Sequence, residues 1–338
     1  MLASRLASQL LAGPGASSVG QVADRLLAVQ GQDASGLRLA IRARSKRLSA
    51  SDVDEQLTVQ RSLVITWLNR GTLHPVASED YWWLQQLMAP PLFTGNARRL
   101  RQEGVSEVAA DRGVGVVERA LARDGPLTRS SLAQQISAAG VRVQGQALIH
   151  LLMLACLRGI AVRGPMVGGE QAYVLVRDWL GRSPAPIERD AALAALVHRY
   201  LAGHGPASDH DLARWAGLPL RDIRRGIAAI APSLSEPVAG LMDLTDRAVE
   251  MPLPPPRLLG AFDPILLGWC SREFVLGRHQ GSVSMNGMFR PFALVAGRAA
   301  GTWGMPNRQV VLAPFAELGR QVAAALRADA EDVVRFLA

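Results

Sequence analysis

Residues 123–133 read RDGPLTRSSLA, and residues 203–213 read GHGPASDHDLA. In both stretches a Gly-Pro pair follows an apolar segment and precedes a Leu-Ala pair, and the spacing is the same in each copy. Gly-Pro ends a helix, and Thr128 or Ser208 then supplies a residue type that begins the next helix. The chain is therefore predicted to build the same supersecondary unit twice.

The segments around each copy predict what that unit is. A helix is predicted before the Gly-Pro pair (114–122 and 191–202), a short helix after it (130–138 and 209–215), and a third helix beyond (144–158 and 220–230). In the first copy, apolar runs at 160–163 and 172–176 flank Gly168-Gly169 and predict a hairpin. Three helices followed by a hairpin are the winged-helix arrangement, a variant of helix-turn-helix.

A looser third copy opens the chain. Gly13-Pro14 precedes Ser17-Ser18, a candidate cap for a helix that carries the apolar pairs at 22–23 and 26–27. Farther on, a helix is predicted over 51–60 and strands over 62–67 and 72–76, joined by the turn Asn69-Arg70-Gly71. Ser78 is expected to cap a helix whose tryptophans, Trp82 and Trp83, pack in the core.

The sequence changes character after the proline run at 252–256. Short apolar runs predict strands over 257–262, 273–276, 281–285, 290–295, 298–303 and 310–313, followed by helices over 316–327 and 329–337. The predicted fold class is α+β, with tandem winged-helix domains followed by a β-rich C-terminal domain. The predicted domains are 1–100, 110–182, 188–250 and 257–338.

Charge favours a polyanionic partner. The 338 residues carry a net charge of +8, and Lys46 is the single lysine among the 37 basic residues. Arginine binds phosphate with two parallel hydrogen bonds and stacks on bases, so a nucleic acid is the favoured partner. Winged helices also serve as protein–protein modules, and that alternative stays open.

Several classes of protein are disfavoured. No apolar run reaches membrane length, and the first residues lack the pattern of a signal peptide, which predicts a cytoplasmic, nucleoid-associated protein. Cys156 and Cys270 lie far apart, and the 6 histidines show no metal-ligand spacing. We therefore expect no disulfide, no metal and no organic cofactor.

One short motif follows the apolar run at 26–29: Gln30-Gly31-Gln32. In an extended backbone, two side chains at this spacing point the same way. Two carboxamides offer donors and acceptors but no strong acid or base, which suits the holding of a water molecule or a polar substrate group. Two surface glutamines near a helix end are the alternative.

The ordered set of motifs resembles a known family. The set comprises Gln30-Gly31-Gln32, 66–74 (TWLNRGTLH), 205–208 with 215–218 (GPAS and WAGL), 262–264 (FDP), 286–291 (NGMFRP) and 297–303 (GRAAGTW). It resembles the AlkZ-type bacterial DNA glycosylases, which are winged-helix enzymes linked to self-resistance against DNA-alkylating antibiotics such as azinomycin. The resemblance implies that Gln30 and Gln32 are catalytic. Gly31 departs from the family's aliphatic residue, and the related YcaQ-like enzymes carry an acid in place of the second glutamine.

This resemblance implies a monofunctional DNA glycosylase that hydrolyses the N-glycosidic bond of N7-alkylated, cationic purines. Bulky natural-product adducts and interstrand crosslinks are included, in the service of self-resistance or DNA repair. The expected partner is double-stranded DNA, and the expected state is a monomer. Two alternatives remain at this point: a housekeeping enzyme for simple methyl adducts, and a non-enzymatic winged-helix regulator or lesion sensor.

Candidate DNA contacts are basic residues in three places, with further phosphate contacts expected from Arg221, Arg224 and Arg225. The hairpin motif around Arg70 is expected to lie near the glutamines, and His74 is as compatible with a core position as with DNA. The run at 38–47 has a solvated helix face as its alternative. The candidates are Arg38, Arg42, Arg44, Lys46, Arg70, His74, Arg278, His279 and Arg290.

Overall fold

The computed structural model describes residues 1–247 and 252–338. Its first helices and strands are α1 (Leu2–Ser8), α2 (Val19–Leu26), α3 (Ala34–Arg42), α4 (Ala50–Thr58), β1 (Leu63–Leu68), β2 (Thr72–Ala77), α5 (Tyr81–Met88) and α6 (Pro90–Gln102). The first repeat comprises α7 (Glu107–Asp124), α8 (Arg129–Ala138), α9 (Ala147–Leu157), β3 (Ala161–Val167) and β4 (Glu170–Leu175), followed by α10 (Val176–Trp179).

The second repeat comprises α11 (Arg189–His204), α12 (Asp209–Ala216), α13 (Leu220–Ala229), β5 (Leu234–Val238) and β6 (Leu241–Leu244). The remaining elements are β7 (Arg257–Leu259), α14 (Glu273–Leu276), α15 (Gln280–Val283), β8 (Ser284–Met285), β9 (Met288–Phe289), β10 (Phe292–Val295), β11 (Arg298–Gly304), β12 (Val311–Pro314) and α16 (Arg320–Leu337). The mixed α and β fold class predicted from the sequence is confirmed.

The chain folds into two compact units, Met1–Val53 with Leu193–Ala338, and Asp54–Ala192. This division is coarser than the four predicted domains, and its first boundary falls inside the predicted N-terminal domain. The four predicted ranges stay predictions.

Both repeats contain the predicted order of three helices and a hairpin, and their caps explain the boundaries. Thr128 accepts a hydrogen bond from the Ser131 backbone N–H at the start of α8. Ser208 does the same for the Asp211 N–H in α12, and the Asp211 carboxylate returns the bond to the Ser208 N–H. Such caps satisfy backbone donors that a helix end otherwise leaves unpaired.

In the second unit, the hairpins β1–β2 and β3–β4 join into one sheet of order β2-β1-β3-β4. The hairpins meet through a pairing of Ile65 with Arg163. The β1–β2 turn at residues 69–71 uses left-handed backbone at Asn69 (φ 52°) and Gly71 (φ 83°). The predicted hairpin is therefore present, and it belongs to a larger sheet than the sequence pattern indicated.

In the first unit, residues from both parts of the chain share one core. The sheet of order β12-β11-β10-β7 packs with α3 and α16. The buried members of this cluster are Leu39, Leu258, Ala293, Trp303, Leu326 and Val333. Leu39 lies on α3, whereas the other buried members all follow residue 257. The burial of α3 therefore depends on the β-rich part of the chain.

Four local predictions were wrong. Ser78 does not cap the next helix, because α5 begins at Tyr81 after Asp80 and the Ser78 hydroxyl donates to the Arg61 carbonyl. Residues 273–276 form the helix α14, and most of 281–285 belongs to α15, with a strand only at Ser284–Met285. Runs of four or five residues are too short to distinguish a helical from a strand period. The two predicted terminal helices are one helix, α16, since no glycine or proline interrupts 320–337.

Among the described residues, no helix combines the length and apolar character needed to cross a bilayer.

Candidate active site

The Gln30-Gly31-Gln32 motif lies in a short connector between α2 and α3. Ser18 caps the start of α2, and the helix stops at Leu26 because Leu27 takes a left-handed conformation with φ 62°. The chain then runs through buried Ala28 and Val29. At the far end, the Asp33 carboxylate accepts the Gly36 N–H and caps α3. Both ends of the connector are thus fixed by helices.

The two glutamine side chains contact each other directly. Gln30 Nε2 donates to Gln32 Oε1 at 2.7 Å, and Gln30 Oε1 accepts from the Gln32 backbone N–H at 2.5 Å. Gln30 is buried, with 8% of its surface exposed, whereas Gln32 is exposed. The buried glutamine therefore holds the exposed one at two points, and Gln32 is the side chain presented to a ligand.

The remaining hydrogen-bonding capacity of this pair lies mainly on Gln32. An amide oxygen has two lone pairs and an amide nitrogen two hydrogens. The Gln30–Gln32 bond uses one lone pair of Gln32 Oε1, so the other lone pair and the Gln32 amide hydrogens are left for substrate or water. Gly31 between them is buried.

The first turn of α3 is fixed by a very close backbone approach. A Cβ atom added to Gly36 would lie 2.4 Å from the Ala261 carbonyl oxygen, and one added to Gly260 would lie 2.9 Å from Leu39 Cβ. Only glycines permit this separation. The segment 260–261 therefore lies directly against the helix that follows Gln32.

Arg44 was predicted to contact DNA, and the structure corrects this prediction. Its guanidinium donates to both carboxylate oxygens of Asp263 at 2.9 and 2.7 Å, and both side chains are 0% exposed. Arg44 also donates to Gln9 Oε1 at 3.0 Å. A buried cation whose donors face a buried anion has no surface to offer a phosphate, so Arg44 holds α3 to the segment around Asp263.

The same correction applies to Arg42. Its guanidinium donates to Asp329 at 3.0 and 2.9 Å, to Asp332 at 2.8 Å and to the Leu258 carbonyl at 2.7 Å, and the side chain is 3% exposed. Arg42 thus connects α3 to β7 and α16. Sequence position alone marked it as part of a basic run, whereas its partners lie hundreds of residues away.

His74 is the third correction. It lies on β2 opposite Thr66, is 6% exposed, and its Nδ1 lies 3.0 Å from the Thr72 carbonyl oxygen. Burial, opposed by that backbone contact and assisted by Arg70, lowers the pKa of His74 to about 4. His74 is therefore a neutral core residue, which is the alternative that the sequence left open. The predicted proximity of this hairpin to the glutamines stays a prediction.

The other candidates lie at least partly at the surface. Lys46, Arg70, Arg278 and Arg290 are exposed, while Arg38 and His279 are half-buried. The Arg38 guanidinium donates to the Ala34 carbonyl at 3.0 Å, and the His279 ring stacks on Phe315 at 4.2 Å. These six residues remain candidate DNA contacts.

The hairpin β8–β9 follows Arg278 and precedes Arg290. Its turn, Asn286-Gly287, has left-handed backbone at both positions, with φ 51° and 78°, as a tight two-residue hairpin requires. Met285 and Met288 flank the turn and are 56% and 63% exposed. An exposed apolar tip between two arginines is suited to enter a groove of DNA.

The third helices of the two repeats differ sharply. In α9, every residue from Leu151 to Leu157 is buried, so this helix has no free face for a groove. In α13, Ile223 is buried while the Arg221 side chain is 86% exposed. Because α13 has an exposed arginine and the stretch 151–157 of α9 is fully buried, α13 is the better candidate to face a duplex.

The buried cluster that supports α3 was not identified from the sequence as part of the site. Asp263 holds Arg44, and Ala261, two residues before Asp263, lies against the first turn of α3. The available signal was the Phe-Asp-Pro motif at 262–264, which the family resemblance included without assigning it a role.

The fold has two repeats of three helices and a hairpin together with a hydrogen-bonded pair of glutamines, and comparison identifies its family. The chain belongs to the AlkZ-like DNA glycosylases, because the family model matches residues 23–336. The predicted enzyme class, a DNA glycosylase, is thereby confirmed.

Two comparisons give the degree of similarity. The chain is 29% identical to an interstrand DNA cross-link repair glycosylase of Streptomyces sahachiroi, over 98% of this chain and 94% of that protein. It also resembles the solved structure of the S. sahachiroi DNA glycosylase AlkZ, with a TM-score of 0.82, 27% identity, and coverage of 99% of this chain and 95% of that one.

Proposed function

We propose that this protein hydrolyses the N-glycosidic bond of N7-alkylated purines in double-stranded DNA, with Gln30 and Gln32 as its catalytic pair. The observation that carries the proposal is the two-point contact between these side chains, which presents an exposed amide held by a buried one. Family membership supplies the reaction class, and the geometry supports different roles for the two glutamines.

A purine alkylated at N7 carries a positive charge and leaves C1′ as a neutral base, so the leaving group needs no proton from the enzyme. The sugar acquires positive charge as the bond breaks. What the protein must supply is a water molecule in line with C1′ and dipoles that favour the developing charge. Two neutral amides are sufficient for these tasks, although they are too weakly basic for the removal of a difficult proton.

The free lone pair of Gln32 Oε1 accepts a hydrogen bond from the attacking water, and the proton that this water loses after its oxygen bonds C1′ passes to solvent. Gln30 fixes the orientation of that oxygen through the 2.7 Å bond and fixes the backbone beneath it through the 2.5 Å bond. Gln32 is thus the residue that touches water, and Gln30 sets its position. Because Gln32 is exposed, a bulky adduct can reach it without entry into a closed base pocket.

Crosslinks joined through guanine N7 are part of the proposed substrate class. Each half of such a crosslink is a cationic N7-alkylguanine, so hydrolysis of one glycosidic bond separates the strands by the same chemistry. The relative from S. sahachiroi is described as an interstrand cross-link repair glycosylase, which supports this extension. We propose a monomeric enzyme that binds DNA through Arg221 on α13, the β8–β9 hairpin, and Lys46.

The test is base release from a duplex that contains one 7-methylguanine, followed by alkaline cleavage at the abasic site. Gln32→Ala should lose about 100-fold or more in single-turnover rate, as removal of a positioned water contact does at other hydrolytic sites. Gln30→Ala should lose less, because Gln32 remains.

Gln21→Ala is the matched control, since Gln21 is an exposed glutamine on α2 that accepts hydrogen bonds from Ser17 and lies in the same unit. It should keep the wild-type rate. All three variants should bind undamaged duplex with unchanged affinity. Full activity in a Gln30→Ala/Gln32→Ala double variant would show that the glutamines are not the catalytic pair.

A further inference from the structure

Phe262 has an unusual backbone conformation for a bulky, half-buried residue. Its backbone is left-handed, with φ 55°. It is a bulky residue rather than glycine or asparagine, and such residues are outliers in this conformation. Its side chain is also only half-buried, so the core does not demand a phenylalanine at this position.

Both neighbours of Phe262 are fixed to the helix that follows Gln32. On one side, the Ala261 carbonyl oxygen lies against Gly36 in the first turn of α3. On the other side, the Asp263 carboxylate is held by Arg44, at 2.7 and 2.9 Å, and accepts the Ile265 N–H at 3.0 Å. The strained conformation is therefore imposed by two contacts with the α3 segment, one at the beginning of the helix and one just beyond its end.

The ring of Phe262 connects this segment to the β8–β9 hairpin. Its ring centroid lies 5.5 Å from that of Phe289 on β9, in an edge-to-face arrangement. The Arg272 guanidinium lies 4.9 Å from the Phe289 ring, so the base of the hairpin is itself braced. Phe262 thus lies between the helix that begins after the glutamine pair and the hairpin with the exposed methionine tip.

Strain that the surrounding contacts impose on a half-exposed aromatic residue is typical of a functional position rather than of a packing residue. We propose that Phe262 contacts the alkylated nucleotide at the Gln30–Gln32 site and that its ring packs against the cationic purine. The attraction of a cation to the face of an aromatic ring favours the charged, alkylated base over a normal one. This inference rests on the proposed function and adds a residue that selects and positions the lesion.

The experiment measures base release from 7-methylguanine duplex and binding to undamaged duplex for Phe262→Ala, Phe262→Gly and Phe262→Tyr. Phe262→Ala and Phe262→Gly remove the same ring, but only glycine accepts φ 55° without strain. Both should lose roughly 5- to 30-fold in kcat/KM, the size of a desolvated cation–aromatic contact. Phe262→Tyr keeps the ring and should keep most of the activity.

Two further readouts separate a contact with the lesion from a structural role. Phe262→Gly should melt at a higher temperature than Phe262→Ala yet be no more active, and neither variant should change affinity for undamaged duplex. The matched control is Phe274→Ala, since Phe274 is a half-buried phenylalanine of the same unit whose ring packs on Trp269 and beneath Arg5. It should keep the wild-type kcat/KM.

Wild-type kcat/KM in Phe262→Ala would overturn the inference while leaving the proposed function intact. Recovery of activity in Phe262→Gly relative to Phe262→Ala would also overturn it, because the backbone and not the ring would then matter. An inactive wild-type protein on 7-methylguanine duplex would instead refute the proposed function, and the role of Phe262 with it.

Discussion

The buried pair of Arg44 and Asp263 allows a sharp separation of folding from DNA binding. Replacement of Arg44 by methionine removes the two bonds to Asp263, at 2.9 and 2.7 Å, and leaves a carboxylate that is 0% exposed without its counter-charge. Two charge-assisted bonds at roughly 1.5–3 kcal/mol each amount to about 3–6 kcal/mol. Loss of one partner of a buried ion pair typically costs roughly 3–5 kcal/mol.

Urea unfolding, followed by fluorescence, measures this loss. With an m-value of roughly 3 kcal/mol per M, Arg44→Met should lower the unfolding midpoint by about 1 M or more. The double variant Arg44→Met/Asp263→Leu should recover much of the loss, because it leaves no unpaired buried charge. Lys46→Met is the control: because Lys46 is exposed, this variant should unfold at the wild-type urea midpoint.

The salt dependence of DNA binding tests whether Arg44 has only a structural role. Because the Arg44 guanidinium is buried, folded Arg44→Met should bind undamaged duplex with the wild-type dependence on salt. Lys46→Met should instead flatten the plot of log K against log salt by up to about 0.9 if Lys46 contacts one phosphate. A stable Arg44→Met protein with a flattened salt dependence would show that Arg44 contacts DNA and that the assigned structural role is wrong.

Two further predictions concern acid stability and the arginine of α13. Burial lowers the pKa of His74 from 6.5 to about 4 and that of His204 from 6.5 to about 3. Below pH about 6.5 the unfolded chain therefore binds more protons than the folded one. The free energy of unfolding should fall by up to roughly 1.4 kcal/mol per pH unit for each histidine as the pH drops from there toward 4. Replacement of either histidine by phenylalanine should make this fall shallower in urea titrations between pH 7 and 4, and an unchanged slope would contradict the buried neutral state. Arg221→Ala should weaken binding to any duplex sequence and reduce the salt slope by about 0.9. Arg177→Ala, in α10 just after the first repeat, where Arg177 is paired with Glu118, should leave the slope unchanged; equal effects of the two substitutions would contradict a specific role of α13.

Local signals in the sequence predicted the elements well and the buried charges poorly. Thr128, Ser208 and Ser18 each cap the helix that their positions predicted, because capping depends on neighbours within three residues. Arg42 and Arg44 were read as surface cations since nothing near them is acidic. Their carboxylate partners are 287 and 219 residues away, and a single sequence contains no sign of such pairing.

The glutamine pair shows the same limit within three residues. Spacing predicted that Gln30 and Gln32 would lie together, and they do. It did not predict which of them is buried, since that depends on the packing around the connector and α3. The proposed division of roles, with one residue that holds and one that acts, rests on this unequal burial, with Gln30 at 8% and Gln32 exposed.

The pairing of α3 with Asp263 and Asp329 sets an order on biosynthesis. Gln30 and Gln32 leave the ribosome well before the carboxylates that anchor the helix beside them, which are made more than two hundred residues later. Contacts that distant in sequence form late in folding. A nascent or prematurely terminated chain therefore holds both glutamines without the carboxylates that anchor the helix beside them, so the buried charges of Arg42 and Arg44 stay unpaired until the β-rich part has been made.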